Sequence, residues 1–200
     1  MSFVEIATSK TAGSKEIADA QLAVVEYLDF VKNAKGCKSI IQGYEAEDKQ
    51  IHYTITVWDS YESYTKLHTY SEYLPLLEAV KKLESLSCSS VQNIHLDTDA
   101  ATLFDCCVVE FVTIKPKEGH SVADVKTAIT KIQEATAHKS LAMGDVMGDA
   151  ESIMLLVPWD SIESAKSKGN AVHAEIPLAV NALCAISDIR SVYAAGLKRI

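Results

Sequence analysis

Tyrosines crowd the front of this chain. Tyr27, Tyr44, Tyr53, Tyr61, Tyr64, Tyr70 and Tyr73 are seven of its eight, and Trp58 and His68 fall among them. Phenol hydroxyls donate and accept hydrogen bonds, an indole offers a flat apolar wall with one N–H donor, and an imidazole can hold or release a proton near neutral pH. Such groups suit a pocket for a small planar apolar or phenolic molecule. The expectation is that Tyr44, Tyr53, Tyr61 and Tyr64 converge near Trp58. His68 would serve there as base or orienting acceptor, and Tyr53 and Tyr64 as donors to a ligand oxygen. Each residue also has a plainer reading. Trp58 would plug the end of a sheet, a single helical His is more often structural, and Tyr on a hairpin reflects strand propensity.

What must position these side chains is a unit written twice. Trp58-Asp59-Ser60-Tyr61-Glu62-Ser63 returns as Trp159-Asp160-Ser161-Ile162-Glu163-Ser164, with Gly43 and Gly144 ahead of the two at the same offset. Val4-Glu5-Ile6 likewise answers Val109-Glu110-Phe111, and Leu74-Pro75-Leu76 answers Ile176-Pro177-Leu178. Internal similarity of this kind marks repeated supersecondary units. In copy one, Phe3 to Thr8 has strand character and 14–33 carries apolar residues at helical spacing. Ser39 to Tyr44 and Ile51 to Trp58 then read as a hairpin. Asp59 with Glu62 reads as a capping box opening a helix, which restarts near Ser71 because Pro75 is tolerated only in a first turn. Val91 to Leu96 closes the unit.

Copy two runs in the same order: strand 106–114, helix 121–136, hairpin 140–158, helices 161–183, strand 188–194. Strand, helix, strand, strand, helix, strand is the split ferredoxin-like unit, an antiparallel sheet with both helices on one face. The fold class is therefore α+β: two such units, residues 1–99 and 104–200, burying their bare faces in a pseudo-dimeric barrel. At the places of Tyr44, Tyr53, Tyr61 and Tyr64 copy two has Asp145, Met154, Ile162 and Ala165. Its third strand, Ile153 to Val157, is apolar on both faces. Any chemistry belongs to copy one, with copy two as a structural partner.

Composition narrows the classes. A net charge of −8 with only Arg190 and Arg199 as arginines argues against nucleic acid. Five Cys without CxxC spacing read as free thiols of a reducing compartment, Cys106-Cys107 as two small buried side chains opening a strand. His52, His95, His120 and His138 share no metal-ligand spacing, so neither a metal nor a cofactor is expected. Gly36, Gly43, Gly144 and Gly148 read as turn residues without a phosphate loop. No export signal and no membrane-spanning run is evident, so the expected place is cytoplasmic. Whether the fused pair forms a homodimer through exposed strand edges is left open.

The string Val57-Trp58-Asp59-Ser60-Tyr61-Glu62-Ser63-Tyr64, followed by His68, Ser71 and Tyr73, resembles the second half of the antibiotic biosynthesis monooxygenase family. The resemblance implies a dimeric α+β barrel, here with both copies in one chain. It also implies one of two activities. One branch oxygenates phenolic polyketides without metal or flavin, helping to remove a phenolic proton so that the anion reacts with dioxygen. The other binds and degrades haem through the helix His, which His68 matches, with an Asn on a first strand that here has none. A non-enzymatic module, binding a ligand or a protein on the same scaffold, stands beside both.

Overall fold

Alternation along the strands decides which side of the sheet each residue serves. The computed structural model describes residues 1–11, 17–81, 86–100, 102–136, 141–168 and 175–200; His138 and His173 lie outside them. Copy one comprises β1 (Ser2–Thr11), α1 (Ile17–Lys32), β2 (Cys37–Glu45), β3 (Ile51–Trp58), α2 (Tyr61–Leu67), α3 (Tyr73–Lys81) and β4 (Leu86–Leu96). Copy two repeats it as β5 (Val108–Pro116), α4 (Val122–Thr136), β6 (Ala142–Val146), β7 (Ile153–Trp159), α5 (Ile162–Lys168), α6 (Glu175–Ile186) and β8 (Ser187–Arg199).

Each copy forms the expected four-stranded antiparallel sheet, ordered β4-β1-β3-β2 and β6-β7-β5-β8. The outer strands then join across the copies, β2 to β8 and β4 to β6, and close one eight-stranded barrel. Both seams are short, joining Ile94–Leu96 of β4 to Gly144–Val146 of β6 and Ile41–Glu45 of β2 to Ala194–Arg199 of β8. The two bare faces line the interior, where Val4, Ile6, Ile55 and Val57 meet Val109, Phe111, Met154 and Leu156. The link between copies also folds inward, adding Ala100, Leu103 and Phe104 to that core. It is pinned there by the Ser2 hydroxyl, which accepts the Ala100 N–H at 3.1 Å.

Three local readings change. Gly43 and Gly144 are strand residues of β2 and β6, placed where the two copies meet, rather than turn residues. The cap of α2 is Ser60 and not Asp59: its Oγ accepts the Ser63 N–H at 3.2 Å, as Ser161 does for Ser164 at 3.0 Å. Asp59 stands one residue earlier, its N–H donating to the Gly36 carbonyl at 2.9 Å and its carboxylate accepting the Ser60 hydroxyl at 3.0 Å. Cys106 and Cys107 are free thiols just ahead of β5, and Cys107 is exposed rather than buried. Pro75 does fall in the first turn of α3, where its missing N–H costs nothing.

Candidate functional site

On the helix side of the copy-one sheet, pairing sets side chains in rows. Phe3 lies between His95 on β4 and Trp58 on β3, and Glu5 lies between Asn93 and Thr56. Helices α1, α2 and α3 cover these rows. The Phe3 ring meets Tyr64 at 4.7 Å, Tyr61 at 5.2 Å and His95 at 5.1 Å between centroids. Tyr64 in turn lies 6.1 Å from Trp58 and 4.7 Å from His68, and His68 lies 4.7 Å from Tyr73. Trp58, Tyr61, Tyr64 and His68 are thus brought together.

Tyr53 and Tyr44 do not join them. Strand alternation turns Tyr53 into the barrel, edge-on to Phe111 at 5.3 Å, with its hydroxyl donating to Glu45 at 2.8 Å. Tyr44 stands toward the far end of β2, its ring against Gly196 and under the Lys49 ammonium. Nor is the cluster an open cavity: Phe3 is fully buried and Trp58 1 % exposed, while Tyr61, at 40 %, forms the rim. Two surface hollows, about 200 Å³ beside Cys37 and Arg199 and about 330 Å³ between α4 and α6, lie elsewhere. The rings pack on one another because offset and edge-on contacts are themselves favourable.

Sequence reasoning passed over two polar residues in this layer, Glu5 and Asn93. Part of Glu5 reaches the surface, but its carboxyl is enclosed, and burial raises its pKa against a smaller opposing effect of the Tyr64 hydroxyl that donates to it. Burial, then the nearby Glu5 charge, pushes the Tyr64 phenol up to about 12 and raises Tyr27 and Tyr73 as well. Burial lowers the His68 pKa, which favours its neutral form. Asn93 donates to the Tyr64 hydroxyl at 3.3 Å, while its Oδ1 is buried without a partner. So is the indole N–H of Trp58. Orphaned buried groups of this kind cost about 1–3 kcal/mol each.

The raised Glu5 pKa has a consequence for stability. A carboxyl whose pKa the fold raises contributes stability below its ordinary pKa, and that contribution is lost as pH rises through the raised value. Glu5→Gln is therefore expected to melt above the wild type near ~pH 7, with the gap closing toward ~pH 4, where the ordinary carboxyl is protonated too. A melting difference that stays constant with pH would contradict this account of Glu5.

Copy two acts as an internal control. Its helix-side layer is apolar, built from Val112, Ile114, Val125, Ile129, Ile153, Leu155 and Leu183. There the Trp159 N–H is satisfied, donating to Glu110, the counterpart of Glu5, at 3.0 Å. Tyr64 makes the difference, since buried Ala165 stands in its place and cannot draw the carboxylate away.

No protein-family model matches the chain, and no curated protein matches it in sequence. Solved structures do match along its whole length. A Fusobacterium nucleatum protein described as a "putative monooxygenase" superposes with a TM-score of 0.69 at 11 % identity, over 99 % of this chain and 93 % of that one. An anthrone oxidase-like protein gives 0.60 at 14 % identity, over 98 % and 93 %. A haem-binding protein from Thermus thermophilus gives 0.59 at 8 %, over 97 % and 90 %. The chain has the fold of the tandem dimeric α+β barrels. At these identities the likeness is one of fold, and function has to be argued from the site.

The rings of Tyr64 and Tyr73 each lie 4.7 Å from His68, so haem at this imidazole would have to displace one of them, and the first strand lacks the Asn that the haem-degrading branch would place there. Among the described residues no group of three or more His, Cys, Asp or Glu is placed to hold a metal ion. Among them, too, no helix is long and apolar enough to cross a membrane.

Proposed function

We propose that this barrel binds a small planar phenol in the helix–sheet layer of copy one. The observation that carries the reading is the pair of buried atoms left unpartnered there, a donor on Trp58 and an acceptor on Asn93. A hydroxyl-bearing aromatic satisfies both, accepting from the indole N–H and donating to the amide oxygen, while Phe3 and Tyr64 supply apolar walls. Tyr61 and His68, exposed at the rim, are the side chains that swing aside to admit it. The structural match described as anthrone oxidase-like supports an aromatic ligand for this chain. On this reading the chemistry is cofactor-free oxygenation: the ligand loses its phenolic proton, and the electron-rich anion reacts with dioxygen.

The closed packing of the layer favours a second reading, in which the same site binds its ligand and never turns it over. Titration with a hydroxynaphthalene or an anthrone, followed by tryptophan fluorescence, tests the binding. Saturable quenching that is lost in Trp58→Phe and kept in Trp159→Phe is the expected result, and quenching that survives in Trp58→Phe would contradict the site. Oxygen uptake with the bound anthrone then separates the oxygenase from the binding module.

A further inference from the structure

We propose that Glu5 is the proton acceptor of the copy-one site, its carboxylate taking the hydroxyl proton of the bound phenol while the Trp58 N–H holds the phenolate oxygen left behind. This rests on the ligand-binding reading above and gives that site an activity.

The repeat measures the reach required. Phe3 pairs with Trp58 as Val108 pairs with Trp159, and Glu5 and Glu110 each follow two residues on, on the same face of their sheets. In copy two this geometry lets the carboxylate accept the indole N–H directly at 3.0 Å. A glutamate at this place therefore spans to the indole nitrogen. In copy one the same carboxyl is drawn toward α2 by Tyr64, and the N–H stands open. A ligand oxygen seated on that N–H lies one hydrogen bond from Glu5, the distance a general base must cover. The phenol O–H turns from the Asn93 amide oxygen to Glu5, its bond breaks, the proton passes to a carboxylate oxygen, and both electrons of the bond stay on the ligand oxygen. No oxidant enters this step.

The surroundings suit the task. An enclosed carboxylate is a stronger base than one in water, and a fixed N–H aimed at a developing oxyanion acts most strongly where water is excluded. The other titratable groups facing Glu5 are Tyr64 from α2, Tyr73 from α3 and Tyr27 from α1, each held protonated by burial. They leave Glu5 as the acceptor. His68, placed beside Tyr64 and Tyr73 at the exposed end of α2, is a rim residue in this arrangement.

The test uses 2-naphthol, whose ionised form absorbs at longer wavelength, with its methyl ether as a control that has no proton to give. In wild type the bound naphthol is expected to show the naphtholate band at neutral pH. In Glu5→Gln the ionised fraction should fall by roughly tenfold or more, while Kd stays within about threefold. Infrared difference spectra of the wild type give an independent reading: a protonated-carboxyl band should appear with naphthol and not with the ether. A naphtholate band that persists in Glu5→Gln, or no carboxyl band in the wild type, would overturn the assignment of Glu5 and leave the binding site standing. Absence of any binding to the wild type would overturn the site and this proposal together.

Discussion

Gly144→Ala is expected to lower the unfolding free energy by about 1–3 kcal/mol, the usual cost of overpacking a close-packed contact. The reason lies in how the barrel closes. Strands β6 and β4 meet over a short run, with Gly144 paired to Leu96 and flanked by the β4 backbone. A Cβ at Gly144 would collide with the His95 carbonyl and stand 2.6 Å from Cγ2 of Ile94. The carbonyl belongs to the strand itself and cannot turn away, so the seam must open. Gly43 occupies the equivalent place at the other seam, between β2 and β8, where a Cβ would meet Cδ2 of Leu197 at 2.8 Å and the Ala195 carbonyl at 2.9 Å. Its nearest neighbour is the end of a flexible side chain, so Gly43→Ala should cost less. Urea unfolding reads both: the midpoint should drop with the slope unchanged, and further for Gly144→Ala. Midpoints equal to wild type would mean that the two copies are not closely joined at these strands.

The second large effect concerns the two tryptophans, and its direction runs against burial. Trp58 is 1 % exposed, and Trp58→Ala should cost about 3–5 kcal/mol, as truncation of a large core side chain does. Trp58→Phe is different. It gives up some packing but removes a buried N–H that has no partner, two effects of about 1–2 kcal/mol and opposite sign, so its net cost should stay within about 1 kcal/mol. Trp159 is half-buried, yet Trp159→Phe breaks a bond to the Glu110 carboxylate and should cost about 1–2 kcal/mol, the lower range for charged partners because the pair is partly exposed. Phenol binding should show the reverse order. Trp58→Phe is expected to weaken it by about tenfold, one hydrogen bond's worth, and Trp159→Phe to leave it unchanged. Thermal melts check the first half, and a titration read by the absorbance of 2-naphthol, which needs no tryptophan, checks the second. A Trp58→Phe variant destabilised more than Trp159→Phe would mean that the Trp58 N–H is satisfied in solution.

The architecture was legible because it rests on two strong regularities. A repeated sequence implies a repeated unit, and the order of strand and helix patterns within that unit admits few topologies. Strand alternation also carried the position of Tyr53: Ile51, Tyr53, Ile55 and Val57 share a face that Trp58 does not, and the barrel interior claims that face. Converging Tyr53 on Trp58 overlooked this parity. The seams were not legible. A glycine within a strand resembles a glycine in a turn until the partner strand arrives, and the partners of Gly43 and Gly144 belong to the other copy.

Glu5 and Asn93 were missed for a related reason. A polar residue in an amphipathic strand is ordinarily a solvent-facing one, and these become enclosed only when α1, α2 and α3 cover the sheet. The signal that could have found Glu5 is the pair Val4-Glu5-Ile6 and Val109-Glu110-Phe111, an acidic residue kept between the same apolar neighbours in both copies. His68, the most conspicuous residue by type, lies at the rim because α2 ends there after two turns.

The claim that function resides in copy one reduces to the state of a single indole N–H. The chain has two tryptophans, so its ¹⁵N-labelled form shows two indole resonances, assignable with Trp159→Phe. Titration with 2-naphthol is expected to move the Trp58 resonance progressively to saturation and leave that of Trp159, tied to Glu110, where it is. Movement of the Trp159 resonance alone, or of neither, would contradict the account.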